Sequence, residues 1–245
     1  MKWIKEIFAK LWAVYTLLVF LVTMFIFVWP ILVTYLIRDP LGTEIFRRIS
    51  KFWMTLWLYL IGCTITVRGR HHFSEGQTYI VTCNHNSFMD IPLTTPFIPG
   101  PNKTIAKKSF APIPFFGWIY SRGSVLVDRN SDASRRKSYE DMKKTLKSGL
   151  HMCIYPEGTR NRSADPLKSF YDGAFKLAVD TGKPIIPALI FNTAKVMPAN
   201  QTMYILPHNI SLHFLEPVPT TGLTSRQLRE KVFKIMWDYY SVHAH

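Results

Sequence analysis

Two residues that can move and stabilise a proton, His85 and Asp90, lie in the segment 84–90, which reads NHNSFMD. The preceding run 78–83, TYIVTC, is rich in β-branched residues and predicts a buried strand. A histidine at a strand end can meet a substrate, and imidazole titrates near neutral pH, as general acid–base catalysis requires. A carboxylate at the start of a following helix reaches back to the imidazole and fixes its tautomer. The segment therefore predicts a catalytic pair.

The same segment also fits a structural interpretation, in which Ser87 or Asp90 only caps a helix. Pro92 favours Asp90 as the cap, because proline is tolerated in the first turn of a helix but not deeper in it. Asp90 is then expected to cap the helix and to orient the histidine. The segment alone leaves both interpretations open.

A second polar segment, 155–160 or YPEGTR, follows a predicted strand over 150–155. Gly158 permits a close approach between backbone and ligand, and Arg160 offers a planar set of donors for a phosphate. Glu157 is expected to orient the arginine or to accept a hydrogen bond from a hydroxyl group. A surface turn with a Glu–Arg pair is the alternative.

Basic residues concentrate around these segments. The chain carries 30 Lys and Arg against 16 Asp and Glu, a net charge of +14, and 14 of the basic residues with six of the acidic ones lie in 103–168. The third cluster belongs to this region, with Lys107, Lys108, Asp128 and Arg129. Such an excess favours an anionic partner, although a solvated basic face is the alternative.

The elements that must position these clusters alternate between strands and helices. Helices are predicted at 134–148, 173–180 and about 225–240. Strands are predicted at 78–83, 124–127, 150–155, 185–191, 203–206 and 210–215. This alternation predicts an α/β domain over 69–245, with a mainly parallel sheet flanked by helices.

The first 68 residues have the composition of a membrane segment. Residues 11–37 contain no charge, and these 27 residues span about 40 Å as a helix, more than the roughly 30 Å of a bilayer core. A second uncharged run covers 52–67, and basic residues flank both runs. Positive-inside logic places these flanks on one side. We therefore favour a helical hairpin that dips into the cytosolic leaflet, with two full spans as the alternative.

Other classes of site are poorly supported. The three cysteines, Cys63, Cys83 and Cys153, form no CxxC pair, so neither a disulfide framework nor a zinc site is expected. No metal or other cofactor is expected. The long apolar segment and the lack of a recognisable motif argue against nucleic-acid binding.

The clusters, taken in order, resemble the phospholipid/glycerol acyltransferase family, and more closely its bacterial 1-acyl-glycerol-3-phosphate acyltransferases. The resemblance covers about 78–192. Its four blocks are carried by Asn84, His85, Ser87 and Asp90; by Lys108, Pro114, Gly117, Asp128 and Arg129; by 155–160; and by 185–189. The family pattern departs at 170–173, where FYDG stands in place of a phenylalanine-lysine-x-glycine stretch. If that lysine contacts phosphate, Lys168 must substitute for it or the contact is absent.

The resemblance implies an enzyme that transfers a fatty acyl group from a thioester to the free sn-2 hydroxyl of 1-acyl-glycerol-3-phosphate. It implies His85 as the general base and Asp90 as its orienting partner. Acceptor binding is implied for Lys108, Arg129, Glu157, Gly158, Thr159 and Arg160. Acyl-CoA or acyl carrier protein is the expected donor, membrane lipids and lysophosphatidate are the expected partners, and no covalent acyl-enzyme is required.

Two other functions remain as alternatives, besides transfer to another lysolipid. A lipid hydrolase would use Ser87 or Cys83 as the nucleophile, although the chain has no GxSxG motif. A basic membrane adaptor without activity would account for the apolar segment and the charge, but not for the four blocks. Trapping of an acyl-enzyme distinguishes the hydrolase from the transferase.

Overall fold

The computed structural model describes residues 2–128, 130–163 and 165–243, so the predicted site residue Arg129 lies outside the described residues. The helices are α1 Lys2–Val33, α2 Leu41–Leu60, α3 Asp90–Thr94, α4 Phe116–Arg122, α5 Asp132–Lys147, α6 Gly173–Thr181, α7 Thr193–Val196 and α8 Ser225–His243. The strands are β1 Thr64–Arg68, β2 Ile80–Cys83, β3 Asn102–Lys107, β4 Ser124–Val127, β5 His151–Ile154, β6 Ile185–Phe191 and β7 Asn209–Phe214.

All of these strands belong to one sheet, in the order β1-β7-β6-β2-β5-β3-β4. Only β6 and β7 pair antiparallel, so the predicted α/β fold with a mainly parallel sheet is confirmed. Strand β2 is central, with β6 on one side and β5 on the other. Because β2 and β5 are parallel neighbours, the polar segments that follow them meet at the same edge of the sheet.

Helices cover both faces of the sheet. Side chains alternate along a strand, so Val81 and Cys83 of β2 face the helical hairpin, whereas Ile80 packs with α5, α6 and α8. Phe175 of α6 and Met236 of α8 are fully buried on that second side. The sheet is therefore a layer between the N-terminal hairpin and the later helices.

The hairpin consists of α1 and α2 packed antiparallel. The indole nitrogen of Trp53 donates to the Thr23 hydroxyl at 2.9 Å, and that of Trp12 donates to the Ile61 carbonyl at 3.2 Å. Helix α1 is long and apolar enough to cross a membrane, and most of its surface is not covered by the rest of the chain. Trp29, like many residues of α1, is exposed.

A buried arginine attaches the corner of the hairpin to the sheet domain. Arg122, at the end of α4, donates to the hydroxyls of Thr34 and Thr43 and, at 2.9 Å, to Oδ1 of Asp39. Burial raises the pKa of Asp39, but hydrogen bonds from Arg122 and Thr43 outweigh it and hold that pKa well below its usual range. The hairpin is thus fixed by charge as well as by apolar packing.

The structure corrects three predictions about strands. The strand predicted at 203–206 is wrong, because this segment uses its backbone to contact other elements: Ile205 donates to the Ala9 carbonyl of α1. Strand β3 was not predicted. Residues 64–68, which were expected to belong to the hairpin, form β1, and this strand pairs with β7.

Candidate active site

A short contact joins the two residues of the first polar segment. Nδ1 of His85 lies 2.8 Å from Oδ2 of Asp90, and the same oxygen accepts backbone N–H groups from Asn86 and Ser87 at 2.6 and 2.7 Å. Asp90 is fully buried at the start of α3. The capping alternative is wrong in detail: among the described residues no side chain caps α3, and the carboxylate binds N–H groups that precede the helix. The contact orients the imidazole.

The second polar segment and the residue that follows it hold the backbone of His85 from both sides. Its N–H donates to Oε1 of Glu157 at 2.8 Å, and its carbonyl accepts the N–H of Asn161 at 2.6 Å. The ring lies against that of Tyr155, with 4.8 Å between centroids. The ends of β2 and β5 therefore build one site, in which the segment 155–161 fixes the position of the histidine.

Glu157 is a positioning residue in this geometry. Its second carboxylate oxygen, Oε2, accepts the backbone N–H of Lys168 at 2.9 Å, so both oxygens serve backbone groups. Burial raises the pKa of Glu157 to about 7, although the hydrogen bonds from Lys168 and His85 oppose that rise. The side chain is almost completely buried. Both carboxylate oxygens thus have partners within the protein, and the expected contact of Glu157 with a bound acceptor stays a prediction.

His85 opens into a cavity of about 1060 Å³ between the sheet and the hairpin. The lining of the cavity combines cationic and apolar side chains. The cations are Arg47, Lys107, Arg160, Arg162 and Lys168. The hairpin and α4 contribute a large part of the apolar lining, with Phe20, Phe46, Trp53, Met54, Phe116 and Ile119. Such a cavity suits a ligand with an anionic head and a long apolar chain.

The predicted binding residues lie at different distances from this cavity. Gly158, Thr159 and Arg160 line it, whereas Lys108 is exposed in a turn and its neighbour Lys107 lines the cavity instead. The guanidinium carbon of Arg160 lies 3.5 Å from the ring centroid of Phe88, a cation–π contact that holds the arginine beside the first segment.

Lys168 lines the cavity as well. Its ammonium group donates to the Thr159 hydroxyl at 2.8 Å. The departure from the family pattern places Tyr171, not a lysine, in the following segment, and its exposed ring packs on Gly158. Gly158 has φ +69°, and a Cβ there would lie 2.8 Å from the Tyr171 ring, so the position requires glycine.

Neither candidate nucleophile of a hydrolase is free to react. The Ser87 hydroxyl donates to the Met197 carbonyl at 2.8 Å and accepts the N–H of Met89. Cys83 is fully buried in β2, and this burial raises the pKa of its thiol well above the usual value. Across residues 2–128, 130–163 and 165–243, no three His, Cys, Asp or Glu side chains group as a metal site requires. The arrangement suits proton removal from a substrate hydroxyl.

Comparison with known proteins agrees with this geometry. The family model described as Acyltransferase matches residues 64–191, which is more than half of the chain and includes both polar segments of the site. The chain belongs to the acyltransferase family. The matched range begins at β1 and ends with β6, so it contains six of the strands but not the hairpin, β7 or α8.

Several acyltransferases are similar in sequence to this chain. The human 1-acyl-sn-glycerol-3-phosphate acyltransferase alpha is 31% identical over 170 residues, which are 68% of this chain and 59% of the human protein. The 1-acyl-sn-glycerol-3-phosphate acyltransferase of Salmonella typhimurium is 32% identical over 153 residues, 62% of this chain and 61% of that protein. The chain thus spans about three fifths of the length of these relatives.

The same fold occurs in a solved structure. The crystal structure of the 1-acyl-sn-glycerophosphate (LPA) acyltransferase PlsC from Thermotoga maritima superposes with a TM-score of 0.81 and 23% identity. The match covers 99% of this chain and 97% of the other, so it includes the N-terminal hairpin. This acyltransferase fold therefore extends well beyond the range of the family model.

Some residues of the site were not predicted from the sequence. Arg162 lines the cavity, and a signal for it existed, since it lies two residues after the predicted binding residue Arg160. Lys107, which was placed in the third cluster but not assigned to acceptor binding, lines the cavity too. Tyr240 of α8 hydrogen bonds to the side chain of Asn86, beside the catalytic segment. No local sequence pattern predicts that hydrogen bond, because its two partners lie near opposite ends of the domain sequence.

Proposed function

We propose that this chain transfers a fatty acyl group from a thioester to the sn-2 hydroxyl of 1-acyl-glycerol-3-phosphate, which gives phosphatidate. One observation carries the proposal: His85, bonded through Nδ1 to Asp90, opens into a cavity that combines cations with a long apolar surface. The names of the sequence relatives support 1-acyl-glycerol-3-phosphate as the acceptor.

His85 acts as the general base in this proposal. Its Nδ1–H donates to Asp90, which leaves the lone pair of Nε2 to take the proton of the acceptor hydroxyl. The hydroxyl oxygen then attacks the thioester carbonyl, and Asp90 stabilises the imidazolium. As the tetrahedral intermediate collapses, the C–S bond breaks and the imidazolium returns its proton to the leaving thiolate. An ester and a free thiol result, and no acyl-enzyme forms.

The cationic and the apolar side chains of the cavity divide the substrates between them. Arg160 and Lys168 hold the phosphate of the acceptor close to His85, because a guanidinium and an ammonium form charge-assisted hydrogen bonds with phosphate oxygens. The apolar side chains, such as Trp53 and Ile119, hold the acyl chain of the donor. Arg129 remains a proposed ligand of the acceptor by resemblance alone.

The chain enters the membrane from one side in this proposal. Helix α2 carries its charged residues, from Glu44 to Lys51, within its first eleven residues, and only 52–60 are an uncharged helical stretch. Nine residues span about 14 Å, half of the bilayer core, so α2 does not provide a second crossing. The hairpin thus lies in one leaflet, with the sheet domain on the cytosolic face and the cavity near the lipid surface.

A transfer assay tests the function. Purified protein is incubated with a panel of lysolipids and with acyl-CoA or acyl carrier protein thioesters, and products are identified by mass. We expect acylation of lysophosphatidate, and His85→Ala should lower turnover by about 10²- to 10⁴-fold with the fold intact. His208→Ala, which changes an exposed histidine outside the cavity, is the control. Free fatty acid released without acceptor, or a His85 variant within tenfold of the wild type, contradicts the proposal.

A further inference from the structure

A second cavity, of about 470 Å³, adjoins the catalytic one. The two cavities share Phe20, Phe88, Pro92, Arg160 and Arg162. Phe88 and Pro92, which follow His85 in the chain, form a ridge between the two cavities. Arg160 and Arg162 line the cavities on both sides of this ridge. His85 itself lines only the larger cavity. The cations that adjoin the catalytic histidine thus also serve a separate space.

Apart from these guanidinium groups, the second cavity is mainly apolar. One wall is the α1 segment that contains Ala13 and Leu17, and the facing wall is the segment 197–205. Leu17 is 47% exposed on α1 and Met203 is 44% exposed, so the cavity opens on the side where α1 presents its uncovered apolar surface. Its volume lies within the ~300–1,000 Å³ typical of ligand pockets.

The segment 197–205 is tied to the site at one end and to the hairpin at the other. The Ser87 hydroxyl donates to the carbonyl of Met197, and the N–H of Ile205 donates to the carbonyl of Ala9 at 3.2 Å. Between these ties Met203 has φ 51°, a left-handed conformation that a residue with a side chain rarely adopts.

We propose that the second cavity binds the acyl chain that the lysophosphatidate acceptor already carries. The inference rests on the function proposed above. In the donor, the chain begins at the carbonyl under attack, so it must occupy the cavity that contains His85. In the acceptor, the chain is separated from the reacting hydroxyl by several bonds of the glycerol backbone. It therefore starts beyond the ridge of Phe88 and Pro92, in the neighbouring space.

Charge supports this assignment of the two chains. The acceptor phosphate must lie close to both the reacting hydroxyl and the acceptor chain, and Arg160 and Arg162 line both cavities. A lysolipid drawn from the membrane thus keeps its chain on the lipid-facing side of the ridge, while its hydroxyl reaches the imidazole. The ridge separates two chains that would otherwise compete for one space.

The test narrows each cavity in turn. Ala199, partly exposed in the second cavity, is changed to Phe, and Ala194, exposed outside both cavities, is changed to Phe as the matched control. Ile119→Trp narrows the larger cavity. Transfer is measured with long- and short-chain lysophosphatidate at a fixed donor, and then with long- and short-chain donors at a fixed acceptor. Each result is expressed as the ratio of long-chain to short-chain kcat/KM.

We expect Ala199→Phe to lower the acceptor ratio at least tenfold and to leave the donor ratio within twofold, whereas Ile119→Trp does the reverse. Ala194→Phe should change neither ratio. Thr202→Trp, at an exposed position of the same cavity, replaces Ala199→Phe if that variant is unstable. An unchanged acceptor ratio, or a donor ratio that falls with it, overturns the second subsite. Wild-type protein that does not acylate lysophosphatidate overturns the proposed function instead.

Discussion

One carboxylate oxygen of Glu157 accepts the backbone N–H of His85 at 2.8 Å, and the other accepts the backbone N–H of Lys168 at 2.9 Å. A single buried side chain therefore sets the distance between the histidine and a cationic residue of the same cavity. Neither contact requires a substrate, so the site is organised before any ligand binds.

Glu157→Gln should lower both stability and turnover. Glutamine offers one acceptor in place of two, and its amide group would face one of the two backbone N–H donors. We expect a loss of about 1–3 kcal/mol in the free energy of unfolding, as for a buried donor left unpaired, together with a fall in kcat. Denaturation and kinetics are compared with Glu216→Gln, an exposed control. A variant with normal stability and a raised acceptor KM alone would instead indicate direct acceptor binding.

Asp90→Asn should retain the histidine tautomer but lose the charge and bury an amide group at the position of Oδ1, which has no hydrogen-bond partner among the described residues. The two backbone N–H groups at Oδ2 require an oxygen there, so the new amide nitrogen must take the place of Oδ1. His85 Nδ1–H then still has an acceptor. The loss of one charge-assisted contact, about 1.5–3 kcal/mol, corresponds to a roughly 10- to 150-fold fall in kcat. A fall near 10⁴-fold would show that the amide had rotated and imposed the wrong tautomer.

Arg160→Ala should weaken acceptor binding more than turnover. The guanidinium lies over Phe88 at the junction of both cavities, where it meets the phosphate in the proposed complex. Removing one charge-assisted contact raises the acceptor half-saturation by about 10- to 150-fold. Arg160→Lys keeps the charge without the planar donors, so its acceptor half-saturation should lie between that of the wild type and that of Arg160→Ala. Arg226→Ala, on the exposed surface of α8, is the control. An unchanged half-saturation in Arg160→Ala removes the residue from the acceptor site.

His151 should make the fold sensitive to mild acid. Burial lowers the pKa of His151 to about 4, and its Nδ1 accepts the N–H of Tyr79 at 3.0 Å. Because histidine titrates near 6.5 in the unfolded chain, the unfolded state binds more protons between these values. Its contribution to stability is therefore complete above pH 6.5 and is lost as the pH falls toward 4.

The size of this effect follows from the shift, and a variant isolates it. A displacement of this size corresponds to about 3 kcal/mol of unfolding free energy between pH 6.5 and 4. His151→Gln keeps an acceptor for Tyr79 without a titrating group, so its stability should decline less over that range. The readout is the difference between the two proteins in denaturant unfolding at each pH. Parallel curves would show that His151 is not the acid-sensitive group.

The sequence predicts the elements whose pattern is local. Strand β6, predicted at 185–191, has those bounds in the structure. All seven of its residues are buried, and such a continuous run can be recognised in the sequence without knowledge of the neighbouring strands. The His85–Asp90 contact was also predictable, since the two residues lie in one turn of chain. Local spacing thus identified the part of the site that one segment builds alone.

Strand β3 shows why other elements were missed. Its buried positions are Asn102, Thr104 and Ala106, two polar residues and one small one, so no apolar run marks the strand. The Asn102 amide donates to the Thr95 and Gly100 carbonyls, and the Thr104 hydroxyl donates to the Cys153 carbonyl. Cys153 lies on β5, 49 residues away in sequence, so the partner of Thr104 cannot be inferred from a window around β3. The contact of Glu157 with the backbone of His85 was missed for the same reason, since the two residues are 72 positions apart in sequence.

The hairpin supplies Phe20, Phe46, Trp53 and Met54 to the catalytic cavity, and Arg122 fastens its corner to the sheet domain. A shortened protein that began at β1, made to obtain a water-soluble enzyme, would therefore lose one wall of its catalytic cavity along with its attachment to lipid. Replacing the hairpin with an unrelated membrane anchor would restore attachment to the membrane but not the missing wall of the cavity. For this fold, solubility must be sought by redesigning the lipid-facing surface of α1 while its inward residues are kept.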